Sequence, residues 1–295
     1  MLYEIDGIKI NFPEIIMILA TAESGLIGNN GRMPWKSSID LNHWFKAHTL
    51  GWPVIIGRET AESMPTFPLK NRINILLSSK YEYMDKMKYD RLDGKGGYVS
   101  TEFADAINFI RNYDKAFVIG GKQIYLKALE TTKLIAPLDS CDGDEIGAYK
   151  GYIKRVLKKD PARIPEVSRR AEILDSMPLV DTVIRTVFPD GYVDGNVYFK
   201  ELSPVLKEQF FLNKYAEFTL EHRTNESVYV SKTGEWCKFK NSELYCADKD
   251  YCSEEHCPNI PNQFRGTLAH NLKESDTAFP WIKFEIWRRK QNPGK

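Results

Sequence analysis

The sequence predicts an α/β fold: a doubly wound, mostly parallel sheet with helices on both faces. Two observations predict it. Four short runs are apolar without alternation, as strands buried on both faces are: EIIMILATA (14–22), PVIIG (53–57), INILL (73–77) and AFVIG (116–120). Segments with helical periodicity lie between them.

Taken in order, residues 2–12 (LYEIDGIKINF) place two short alternating segments around Asp6-Gly7, a pair suited to a two-residue hairpin turn. The run 14–22 follows as a central strand. Residues 40–49 put apolar side chains at 41, 44 and 45, one face of a helix. A short helix over 59–64 separates the strands 53–57 and 73–77. Thr101 opens a helix with apolar positions 103, 106, 107 and 110, capped by Ser100 or Thr101. The strand 116–120 leads into a helix over 123–129. Ligands on such sheets bind at the carboxyl ends of the strands.

Past residue 130 the alternation breaks. Residues 139–177 mix acidic and basic side chains, with a helical stretch at 149–159. Strands resume at 181–187, 212–223 and 284–287, while 226–278 reads as loop-rich. The expected organisation is one domain over 1–295 with excursions at about 139–177 and 226–278.

Composition excludes several classes. With 42% apolar and 27% charged residues, the chain is ordinary for a globular protein. A formal net charge of +1 gives no global field to recruit nucleic acid or a membrane surface. The longest apolar run, 15–20, is too short to span a bilayer. No charged-then-apolar signal precedes a cleavage site, so the expected compartment is the cytoplasm. Five cysteines, an odd number, argue against a secreted disulfide framework. Cys237, Cys246, Cys252 and Cys257 cluster, with His256 beside the last. Clustering suits a structural zinc site, whereas the absence of paired Cys-x-x-Cys knuckles suits unligated thiols.

Four segments in register resemble the dihydrofolate reductase family. The first, ATAESGLIGNNGRMPWKSSID, carries Ile27-Gly28, Met33-Pro34-Trp35 and Asp40. The second, PVIIGRET, carries Gly57-Arg58 and Thr60. The third, LKNRINILLSS, has Arg72 before its strand and Ser78-Ser79 after it. The fourth, FVIGGKQIY, ends a strand in Gly120-Gly121, with Tyr125 four residues on. DGNVYF (194–199) and the final FEIWRR match more weakly, the latter where the family closes its sheet with an antiparallel C-terminal edge. The excursions are unmatched.

The resemblance implies NADPH-dependent reduction of 7,8-dihydrofolate to 5,6,7,8-tetrahydrofolate, with hydride to C6 and a proton to N5, for one-carbon metabolism. It implies dihydrofolate as the partner and antifolates such as methotrexate or trimethoprim as inhibitors. By the same resemblance Asp40 is catalytic, with Met33 and Trp35 beside it. Ile18, Ala20, Leu41, Trp44 or Phe45, Met64, Leu69, Ile119 and Tyr125 would line the substrate site. Arg72 would grip the α-carboxylate of the glutamyl tail. For the cofactor, the family pattern falls on Ala20, Ile27, Gly28, Gly57, Arg58, Thr60 and Leu77, then on Ser78, Ser79 and Lys80, and on Gly120, Gly121, Gln123 and Ile124. Two other readings stand beside it: a reductase of the same fold acting on a riboflavin or pteridine precursor, and a protein of this fold that docks a partner, or a second copy, through its excursions.

The residue types suit this chemistry on physical grounds. A buried carboxylate can bond the amino group and ring N–H of a pteridine, and burial raises its pKa towards neutrality. Asp40 is that candidate; its alternative is an ordinary helix N-cap. Glycine at 120–121 lets backbone approach a planar cofactor, or merely makes a tight turn. Thr60 binds phosphate or caps its helix. Arg72 makes a bidentate carboxylate contact or is a solvated surface arginine. For the group that supports Asp40, Arg185 or Thr186 falls nearest, with 133–139 (KLIAPLD) as a rival strand. Against the family pattern, which the resemblance implies has its pocket aromatic four residues after the acid, the helix after Asp40 carries one inserted residue, so that Trp44 and Phe45 compete for the pocket. The resemblance implies that Arg58, Ser78, Ser79 and Lys80 face the 2′-phosphate, where their donors favour NADPH over NADH, while Glu59 opposes Arg58.

Overall fold

A computed structural model gives the fold and describes residues 2–5, 8–79, 97–101, 103–110, 112–133, 176–222, 227–231, 239–240, 243–244 and 278–290. The elements begin with β1 (Leu2–Ile5), β2 (Ile8–Asn11), β3 (Glu14–Ala22) and β4 (Leu26–Gly28). A π-helical segment (Ile39–Phe45) runs into α1 (Lys46–Thr49). Then come β5 (Pro53–Gly57), α2 (Arg58–Ser63), β6 (Ile73–Leu77), β7 (Gly97–Ser100), α3 (Phe103–Ile110), β8 (Lys115–Gly120) and α4 (Lys122–Glu130). The remainder is β9 (Thr182–Phe188), β10 (Val197–Tyr198), α5 (Leu202–Gln209), β11 (Phe210–His222), β12 (Ser227–Ser231), β13 (Phe239–Lys240), β14 (Glu243–Leu244) and β15 (Trp281–Arg289). Two compact units result, Met1–Met17 with Gly51–Asp181, and Ile18–Leu50 with Thr182–Lys295.

In the first unit the strand order is β3-β8-β5-β6-β7, and every pair among them is parallel. All five residues of β5 are buried, and β8 is buried after its first residue. That explains why these strands read as continuous apolar runs. Helix α3 buries Phe103, Ala106, Ile107 and Ile110, the face its periodicity predicts. Strands β1 and β2 form the expected hairpin, with Ile5 opposite Ile8.

The first unit also contains the neck of the first excursion. Lys133 N–H donates to the Met177 carbonyl (2.7 Å), Leu179 N–H donates to the Thr131 carbonyl (2.8 Å), and Thr132 bridges Pro178. Outgoing and returning chain thus lie side by side. The Lys133 side chain is only 2% exposed. Its ammonium bonds both Asp181 carboxylate oxygens at 3.0 Å and sits 4.5 Å from the Phe12 ring centre. Asp181 in turn accepts from Ile15 N–H (3.0 Å). A buried ion is tolerable only when paired and hydrogen-bonded in this way.

In the second unit the order is β12-β11-β15-β9-β3, with β12, β11, β15 and β9 antiparallel in succession. The expected antiparallel edge is therefore present. Strand β15 alternates buried and half-buried residues, as a sheet with unlike faces requires. β4 pairs with β10, which gives the DGNVYF segment its place. Within the second excursion, 227–231 extends the sheet as β12, and β13 pairs antiparallel with β14. The helix expected at 149–159 and the cysteines 237, 246, 252 and 257 lie outside the described residues.

Candidate active site

The candidate residues fall into two groups, one in each unit. In the second unit Asp40 is 4% exposed and Thr186 Oγ donates to its Oδ1 at 2.6 Å. Burial pushes the Asp40 carboxyl up to about 6, against the smaller opposing effect of the Thr186 hydrogen bond. The capping alternative fails on geometry. Ser37 caps this helix: its hydroxyl accepts from Asp40 N–H (3.3 Å) and its carbonyl accepts from Leu41 N–H (3.1 Å). The Asp40 side chain is thereby released from local duty and turned to β9. Of the groups offered for its support, Thr186 makes the contact. Arg185, one residue earlier, points to the other face of the strand and donates to Thr21 Oγ (2.9 Å).

The π-helical segment accounts for the two competing aromatics. One extra residue in a helix is absorbed as an i→i+5 turn, so the fifth residue takes the direction that the fourth has in an α-helix. Trp44, 1% exposed, packs in the core with its ring 4.4 Å from Phe284 and 4.5 Å from His48. Phe45, the next residue, is half-buried. Leu41 and Met33 are exposed, Ile18 is buried, and Ala20 and Ile27 are half-buried. Trp35 is buried against Phe188 (4.8 Å), and its indole N–H has no hydrogen-bond partner among the described residues.

In the first unit the strands β5, β6 and β8 end together. Gly120 has φ +129°, which an L side chain rarely adopts, and its neighbours are the Tyr125 hydroxyl and Thr60. A Cβ on Gly121 would lie 2.8 Å from the Thr60 hydroxyl oxygen, so a larger residue there would force Thr60 to move. The peptide joining the two glycines is cis. Bare backbone at the carboxyl end of a central strand is a cradle that a planar or phosphorylated cofactor fits. Ile119 and Tyr125 are buried beside it, Ile124 is half-buried and Gln123 exposed.

Along the same strand ends, Leu77 and Ser78 are buried, Ser78 N–H donating to the Ser100 carbonyl (2.9 Å), and Ser79 is exposed. Lys80 lies outside the described residues. Met64 and Leu69 are half-buried. Arg72 is not a solvated arginine: it is 7% exposed, its Nη1 donates to the Lys70 carbonyl (3.0 Å), and burial lowers its pKa. Sequence reasoning missed Glu62, which accepts from Arg58 Nη1 at 2.6 Å, closer than the adjacent Glu59 at 3.4 Å. Its i, i+4 spacing was the available signal. Among the described residues there is no cluster of three metal-ligating side chains, and no helix is long and apolar enough to cross a membrane.

Comparison with known proteins finds dihydrofolate reductases. A family sequence model described as dihydrofolate reductase matches residues 14–138. A dihydrofolate reductase of Neisseria meningitidis serogroup A is 37% identical over 134 residues, 44% of this chain and 76% of that protein. One from Haemophilus influenzae is 34% identical over 131 residues, 43% of this chain and 74% of that protein. A bifunctional dihydrofolate reductase-thymidylate synthase of Paramecium tetraurelia is 36% identical over 118 residues, 40% of this chain and 23% of that protein. With glycine cradle, buried acid and three-quarters of two relatives all represented in it, the chain belongs to the dihydrofolate reductase family.

Proposed function

We propose that the chain reduces 7,8-dihydrofolate to 5,6,7,8-tetrahydrofolate with NADPH. The observation that carries the reading is Asp40, a buried carboxyl raised to about 6 and held by Thr186. NADPH, when bound, supplies the hydride. Asp40 bonds the pteridine amino group and ring N–H, fixing the ring, and its raised pKa favours a protonated site near neutrality. The burial of Asp40 keeps the local dielectric low. The Gly120-Gly121 backbone and Thr60 receive the cofactor, Arg58 its 2′-phosphate, and Arg72 the glutamyl carboxylate of the substrate. Antifolates such as methotrexate or trimethoprim carry amino groups on a heteroaromatic ring and would compete for Asp40.

The test is dihydrofolate-dependent oxidation of NADPH, followed by absorbance, in wild type and Asp40→Asn. Turnover in wild type that is nearly lost near neutral pH in the variant supports the reading, provided NADP+ still binds both. Near-wild-type turnover by Asp40→Asn would remove Asp40 from the chemistry.

A further inference from the structure

The cation placed for the cofactor phosphate is already engaged. Arg58 follows Gly57 at the carboxyl end of β5 and opens α2, two residues before Thr60, whose hydroxyl backs Gly121. Its Nη1 donates to Glu62 Oε2 at 2.6 Å, and its Nη2 stands 3.4 Å from Glu59 Oε1. The exposures differ: 25% for the Arg58 side chain, 40% for Glu62 and 87% for Glu59. One guanidinium thus faces two carboxylates, and these three side chains together carry one net negative charge.

We propose that Glu62 sets how strongly this chain discriminates between the 2′-phosphorylated and the unphosphorylated nicotinamide cofactor, by holding the Arg58 guanidinium that the 2′-phosphate needs. The inference rests on the reading that Arg58 faces that phosphate. A phosphate monoester carries between one and two negative charges and takes its best bonds from an Arg fork. Here one arm of the fork is committed to Glu62, the shorter of its two acid contacts. The phosphate must displace that carboxylate or accept from what remains of the fork beside an unneutralised acid. A 2′-hydroxyl is neutral and meets neither obstacle, so Glu62 weakens NADPH selectively. Glu59 contributes less, because its contact is longer and its charge is screened by water.

The test uses equilibrium binding, without turnover. NADP+ and NAD+ are titrated into wild-type protein, Glu62→Gln, Glu59→Gln, Arg58→Ala and the Arg58→Ala/Glu62→Gln double variant, by calorimetry at low salt. Removing one negative charge within several ångströms of the phosphate should tighten NADP+ on the order of tenfold. NAD+ should stay within about twofold, since a neutral hydroxyl gains little from the same change. The gain should shrink as salt rises, be smaller for Glu59→Gln, and be largely lost in the Arg58→Ala background, because the two residues act as one unit. An unchanged NADP+/NAD+ ratio in Glu62→Gln overturns the proposal, as does equal tightening of both or a full gain without Arg58. If wild type binds neither cofactor, the reductase reading falls as well; binding with an unmoved ratio sinks only the role of Glu62.

Discussion

Asp40→Asn should make the protein more stable above pH 6 while it removes activity. In the folded chain burial raises the Asp40 carboxyl from 3.8 to about 6. A raised acid pKa means that folding favours the neutral form. Its contribution to stability is therefore fully present below the unfolded pKa and is lost as pH rises through the folded one. About two pH units correspond to roughly 3 kcal/mol lost between pH 4 and pH 7. Asparagine is neutral throughout, and Thr186 can still donate to its amide oxygen. Its buried amide N–H groups offset about 1 kcal/mol of the gain, which leaves the variant ahead by about 2 kcal/mol at pH 8. Urea unfolding of both proteins at pH 4, 6 and 8 measures this from the midpoints at constant slope. The advantage should be near zero at pH 4 and grow with pH. An Asn variant less stable at pH 8, or a difference that ignores pH, would refute burial as the cause of the raised pKa.

Three further outcomes are expected. Thr186→Val deletes the hydrogen bond that lowers the Asp40 pKa, so the fall of kcat/KM on the alkaline side of its profile should move to higher pH, and Thr186→Ser should restore it. Arg72→Leu should raise KM for dihydrofolate by about ten- to hundredfold, the worth of a charge-assisted contact, and leave a pteridine without the glutamyl tail unaffected; steady-state kinetics on both substrates decides. Lys133→Met leaves Asp181 buried without its cation and should destabilise by about 3–5 kcal/mol in urea melts, while Lys133→Met/Asp181→Leu recovers most of that loss.

What could be read from the chain depended on how local the cause was. β3, β5, β6 and β8 are evident because strands buried on both faces leave unbroken apolar runs. β7 escaped, since GYVS is short and opens on glycine, and its strand character comes from pairing beside β6. β12 and α5 likewise depend on neighbours more than on periodicity. Asp40 and Arg72 were legible as residue types at motif positions, but their states were not: burial of Arg72 and the partner of Asp40 are tertiary facts. Thr186 lies 146 residues from Asp40, beyond any spacing rule. Glu62 could have been found from helix geometry, because residues four apart share a face while Arg58 and the adjacent Glu59 do not. The π turn shows the reverse case, where two rival aromatics at 44 and 45 already recorded an inserted residue.

The neck at Thr131–Lys133 and Met177–Asp181 has a consequence for engineering. Chain leaving and chain returning are in register across an antiparallel bridge, where opposed Cα atoms stand about 5 Å apart. Many independent domains have termini close together on their surface. Such a domain could be spliced between residues 133 and 177 in place of the native segment, its two ends meeting the host at one point. The Lys133–Asp181 pair would seal the junction on the host side, and Asp181 would keep its bond to β3. A guest that changes shape on binding its own ligand would then pull on a joint fastened to the central strand, and the rate of NADPH oxidation would become the readout of a sensor.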